Sequence, residues 1–259
     1  LHVAHGLLPV VLLLALLLWD RSCRAQGHPE AVAVLGPMEG AVDVLRAGQT
    51  TFFGARLGQD LFPGDRIRTG EDGKVQILFV DDTMVVLGTR SEMEITRFVF
   101  RREAKERRAL LDVLGGKVRF LVTRFLADRK PDVLFRTSTA VVGVRGTEGV
   151  IRMMGPLAVF CLGGGLEVLN QSTGQTLDLA AMTKTMVVPH QPMVLEAVDP
   201  GEVLGLRTEF RIRADPSKGG GKPGVEPPPR MRPDRHGVDE PLIRDPAEPK
   251  QERSRDHYD

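Results

Sequence analysis

The chain has 259 residues, of which 42% are hydrophobic and 27% charged, with a formal net charge of +1. This is enough apolar matter for one substantial core, and it lacks the large basic excess that wholesale nucleic-acid binding requires. Aromatic residues reach only 5%, with one Trp and one Tyr, so stacking platforms for bases or sugars are scarce.

The first feature in chain order is the apolar run at residues 7–19, LLPVVLLLALLLW. It is shorter than the roughly 20 residues of a bilayer span and has the length of an export-signal core. Cys23 and Ala25 stand at −3 and −1 of a cleavage pattern, so residues 1–25 are predicted to form a signal peptide. The mature chain is then periplasmic or secreted. The flank carries His2 and His5 but no Lys or Arg, and the first residue is Leu, which keeps an uncleaved membrane anchor as the alternative. Cleavage removes Cys23 and leaves Cys161 alone, so no internal disulfide is expected. Within its apolar string VFCL, Cys161 reads as a buried small hydrophobe.

From residue 31 to about 193 the chain reads as short strands between glycine turns. Residues 74–80 (KVQILFV) place Val75, Ile77 and Phe79 on one face. Residues 92–96 place Met93 and Ile95 inward, and residues 117–123 place Val118, Phe120 and Val122 inward. Turn signals recur at Gly64-Asp65, Asp72-Gly73, Asp81-Asp82, Gly115-Gly116 and Gly163-Gly164-Gly165. The prediction is an all-β fold of short stacked strands, β-solenoid-like or β-sandwich, over residues 31–200. Residues 101–111 have good helix propensity but fit a charged hairpin tip equally well. After residue 213 the composition turns to Pro, Gly and mixed charge, and residues 214–259 are expected to be a disordered tail.

Groups for catalysis or metal binding are few. His190 is the one histidine between residues 31 and 213, and no Cys/His cluster accompanies it. No catalytic residue, cofactor or metal site is predicted, and the chain is read as a non-enzyme.

A run of motifs carries a resemblance. It comprises residues 64–70 (GDRIRTG), 72–77 (DGKVQI), 81–83 (DDT), 114–119 (LGGKVR) and 136–148 (RTSTAVVGVRGTE). In order and combination these are similar to the FecR domain family, over a signature core at residues 61–151. The last run resembles the family's T-P-x-A-x-x-G-V-R-G-T-E signature, with Ser138 at the usual proline. The resemblance implies an extracytoplasmic, solenoid-like all-β module of the kind named for iron-siderophore surface signalling. Full-length members of that pathway join a cytoplasmic anti-sigma segment, a membrane span and this domain. With no segment ahead of the apolar run, this chain is expected to resemble the free-standing exported members instead.

The signature residues Gly143, Arg145, Gly146, Thr147 and Glu148 are the candidate partner contact. Arg145 is expected either to be held internally by Glu148, Asp65 or Asp82, or to meet a ligand or partner. Gly64, Asp65, Asp72, Gly73 and Asp82 are candidate structural turns. Residues 97–108 (RFVFRREAKERR) gather six basic residues against two Glu. Of these, Arg101, Arg102, Lys105, Arg107 and Arg108 are candidate contacts to an anionic surface such as lipid headgroups. The function expected is a binding or signalling module of the bacterial periplasm or cell envelope, recognising a protein partner or envelope polymer and no nucleic acid. A structural component of an exported complex and a membrane-anchored regulator of surface signalling are the alternatives.

Overall fold

The computed structural model describes residues 30–125 and 131–213. The predicted signal peptide and the predicted tail lie outside the described residues. The first strands are β1 (Ala33–Glu39), β2 (Val42–Leu45), β3 (Phe53–Gly54), β4 (Asp60–Leu61), β5 (Arg66–Thr69) and β6 (Lys74–Phe79). They are followed by β7 (Met84–Leu87), β8 (Glu92–Arg101), β9 (Glu106–Leu121), β10 (Val133–Arg136), β11 (Ala140–Val144) and β12 (Glu148–Met153). The last are β13 (Leu157–Gly163), β14 (Gly165–Asn170), β15 (Thr176–Ala180), β16 (Thr183–Val187) and β17 (Glu196–Ala197), before a helix, α1 (Pro200–Glu209).

The strands form because apolar residues recur at every second position. Val75, Ile77 and Phe79 of β6 are buried, as are Met93 and Ile95 of β8 and Val118 and Phe120 of β9. Hydrogen bonding sorts the strands into two sheets. Sheet A runs β4-β1-β6-β7-β9-β12-β13-β16-β17. Sheet B runs β3-β2-β5-β8-β9-β10-β11-β14-β15. The inward faces meet in one core, with Phe120 of sheet A stacked on Phe135 of sheet B at 4.5 Å and Phe79 on Phe98 at 5.1 Å. Pairing is antiparallel except for β9 with β10. Of the two predicted arrangements, this is the sandwich; a solenoid would stack its coils in parallel.

Strand β9 belongs to both sheets. Its first half pairs with β8 and β10, its second half with β7 and β12. The change of sheet falls at Gly115-Gly116. Gly116 has φ +81°, and a Cβ there would lie 2.3 Å from the Arg90 carbonyl oxygen. Only glycine fits such a corner.

Residues 101–111 resolve to the hairpin. Arg107, Ala109, Leu111 and Val113 alternate into the interior along β9, so a period of two prevails over helix propensity. The turn at residues 102–105 closes with Lys105 at φ +49°.

Helix α1 was not predicted. Asp199 caps it by accepting from the Gly201 N–H at 2.7 Å, and Pro200 occupies its first turn. Val203, Leu206 and Phe210 pack on Val86, Val150, Ala158, Phe160 and Leu162 of the outer face of sheet A, forming a second apolar cluster.

Candidate functional site

The signature residues 143–148 carry the chain from β11 in sheet B to β12 in sheet A. Gly143 faces Pro131, whose Cγ would lie 2.7 Å from an added Cβ. Gly146 has φ +65°, and an added Cβ would lie 2.7 Å from the Arg124 Cβ. Thr147 is buried. Its hydroxyl donates to the Gly165 carbonyl at 2.7 Å and accepts from the Gly165 N–H at 3.1 Å, clipping the Gly163-Gly164-Gly165 turn. Arg145 is half-buried and lines a cleft with Pro131, Gly164, Leu166, Glu167 and Asp178. The cleft is thus lined by one guanidinium and two carboxylates, with Glu167 and Asp178 side by side on β14 and β15.

Each of the three carboxylates considered for Arg145 has partners of its own. Glu148 accepts from Arg119 at 2.9 Å and from Arg207 of α1 at 2.7 Å. Asp65, buried, accepts from Arg46 and from the Phe62 N–H at 2.9 Å. Asp82 lies 3.9 Å from Arg102. Among the other turn residues, Asp72 accepts from the Ala41 N–H at 3.3 Å, and Asp82 itself adopts φ +65°. Gly64 has φ +88°, and an added Cβ on Gly73 would lie 2.1 Å from the Ala41 carbonyl oxygen.

The basic hairpin divides into two kinds of residue. Arg101, Arg102, Lys105 and Arg108 are exposed at its tip. Arg107 is not, which corrects its assignment as a surface contact. Its side chain is fully buried, donating to both carboxylate oxygens of Asp132 at 2.8 Å, to Asp81 at 3.1 Å and to the Thr123 carbonyl at 2.8 Å. The strand period turns Arg107 inward while Arg108 faces out. The position of Arg107 on an inward register, between Ala109 and the turn, is the signal that could have revealed this.

A second cluster, unforeseen from the sequence, holds α1 to sheet A. Glu209 bridges Lys117 and Arg152, Arg207 meets Glu148, and Lys184 meets Glu202 at 2.9 Å. Burial alone would push the Glu148 carboxyl up; the hydrogen bonds from Arg207 and Arg119, with their charges, hold it below the usual carboxylate range. Glu209 behaves likewise, burial being overcome by Lys117 and Arg152.

Cys161 is buried in the main core, and burial pushes its thiol up to about 11. A thiol held protonated at neutral pH is a poor nucleophile. His190 sits exposed in a turn at φ +61°. Among the described residues, no three His, Cys, Asp or Glu side chains are grouped to hold a metal ion, and no helix is long and apolar enough to cross a membrane.

Residues 65–167 match the family model described as FecR protein. Two solved structures, both titled as a "putative anti-sigma factor" from Parabacteroides distasonis, align at 22% identity with a TM-score of 0.45 and cover 55% of this chain. The chain spans 64% and 63% of their lengths, less than two thirds. No curated protein matches it. The residues that the FecR model matches take in β5 to β13 whole and the corner with Gly143, Arg145, Gly146, Thr147 and Glu148.

Proposed function

We propose that the chain is an exported, non-enzymatic signalling module of the bacterial periplasm or cell envelope that recognises a protein partner. The observation that carries this reading is the stretch at residues 65–167 that matches the FecR family model. The Arg145 cleft is the recognition point within it. Its lining combines the half-buried Arg145 with the exposed Glu167 and Asp178, a mixed-sign surface suited to orienting a polar peptide. The glycines on either side of Arg145 set the backbone of the corner, while Thr147 and Glu148 tie that corner to the neighbouring turn and to α1.

The test is in-cell photo-crosslinking from position 178, combined with cell fractionation and mass spectrometry. The expected result is a discrete envelope protein captured in the extracytoplasmic fraction, and its loss in Arg145→Ala under conditions where that variant remains folded. Recovery of the uncut chain from the cytosol would overturn the compartment. Capture that persists in Arg145→Ala would remove the cleft from recognition.

A further inference from the structure

Helix α1 covers only part of the outer face of sheet A. One cross-strand row, Gln76–Val86–Arg119–Val150, lies at the helix, with Val86 and Val150 in its apolar cluster. The next outward row toward the β6–β7 turn is Val34–Leu78–Met84–Leu121, paired in register across β1, β6, β7 and β9. Directly opposed residues share a face, so these four side chains form one continuous apolar stripe. Val34 is 37% exposed, Leu78 43% and Leu121 42%; Val80, two residues beyond Leu78, is 51% exposed. An outer sheet face in water ordinarily carries polar residues at such positions.

The basic hairpin borders this stripe. Arg102 lies 3.9 Å from Asp82 in the β6–β7 turn, and Arg101 lines one groove with Val80, Phe100 and Glu30. The side chains of Arg101, Arg102 and Arg108 are 69%, 68% and 68% exposed. The N-terminal chain joins the fold at the same place: the Val32 carbonyl accepts from the Val80 N–H at 3.0 Å, and only residues 20–29 separate the apolar run 7–19 from Glu30.

We propose that this stripe and its arginine border form a docking surface for an anionic lipid bilayer. The stripe has Val, Leu and Met side chains laid flat across four strands, with no Trp or Tyr to anchor a protein hot spot. Apolar side chains flanked by exposed cations are the chemistry of binding at the headgroup boundary, where apolar burial adds to attraction for anionic lipids. Leu78, Val80 and Leu121 enter that boundary, and Arg101, Arg102 and Arg108 meet phosphate groups. The surface is distinct from the Arg145 cleft, so lipid docking and partner recognition fail or succeed separately.

The experiment uses the full chain with an environment-sensitive fluorophore on Leu78→Cys or Leu121→Cys, and on Thr176→Cys of β15 as a control. Vesicles of phosphatidylcholine with phosphatidylglycerol, or of phosphatidylcholine alone, are added. The expected result is a blue shift at positions 78 and 121 on anionic vesicles only, reversed by salt, with none at 176. Reversing Arg101, Arg102 and Arg108 to Glu weakens the shift about tenfold or more without altering the melting curve. Because residues 7–19 can bind vesicles unaided, co-sedimentation without a shift at 78 or 121 would overturn the proposal. A shift at those positions without lipid, rising with protein concentration or appearing only with an added protein, would assign the face to a protein contact and overturn it too.

Discussion

Arg107 carries a positive charge into an interior built mostly of Val, Ile, Leu and Phe. Three acceptors make this tolerable: the carboxylates of Asp81 and Asp132 and the Thr123 carbonyl satisfy its donors in a fork that only a guanidinium matches. Asp81 also accepts from the Thr83 N–H and hydroxyl, at 3.1 and 2.8 Å, so the same ion pair fixes the β6–β7 turn. Removing one partner of a fully buried pair leaves the other charge uncompensated. Arg107→Met is therefore expected to cost about 3–5 kcal/mol in urea unfolding, and Arg107→Lys to recover little of it. A loss below about 1 kcal/mol would mean that Asp81 and Asp132 find other partners easily, and that the fork is dispensable. In the sequence Arg107 was one of six basic residues in a row of twelve, and charge content alone placed it at the surface. Its inward register was readable from Ala109, Leu111 and Val113, but burying an Arg needs Asp81 and Asp132, which lie 26 and 25 positions away.

Helix α1 shows the same limit at the scale of an element. Asp199-Pro200 is a start signal that the sequence displays openly, yet the helix has few apolar residues, and Val203, Leu206 and Phe210 are too sparse to announce an amphipathic face. What holds it is tertiary: the apolar patch on sheet A and carboxylates shared between strand and helix cations. Glu148 and Glu209 are both held below the usual carboxylate range in the fold. Such a depressed carboxyl contributes stability that is complete above its unfolded value and disappears as pH falls through its folded value. The helix is thus expected to hold firmly at neutral pH and to loosen in acid, below the usual carboxylate range, where both groups take up protons. In Glu148→Gln/Glu209→Gln the melting temperature at pH 7 should drop, with about 1 kcal/mol lost per site, and its dependence on acid should flatten. Melting curves recorded from pH 3 to 7 check this; parallel profiles for the two proteins would show that neither carboxylate fastens α1.

Across the whole molecule, the sequence revealed what repeats at short range and concealed what depends on crossing. Alternation at Val75, Ile77 and Phe79, and again at Val118, Phe120 and Val122, showed half-buried strands. It could not show that sheets A and B share one strand, because the inward positions pass from 107, 109, 111 and 113 to 118 and 120 across Gly115-Gly116, a change of phase that a turn between two separate strands would produce equally well. That shared strand makes the two sheets one cooperative object. The core stacks Phe120 on Phe135 across the sheets, and β9 pairs with four other strands. A backbone change at the corner should therefore act on both sheets at once. Gly116→Val places a branched side chain at φ +81°, against the Arg90 carbonyl and Ser91. It is expected to lower the unfolding midpoint sharply, and to remove amide protection from β7 and β12 in sheet A together with β8 and β10 in sheet B. Hydrogen exchange resolved by strand reads this directly. If sheet B stayed protected while sheet A opened, β9 would be a hinge between separable layers and not the strand that unites them.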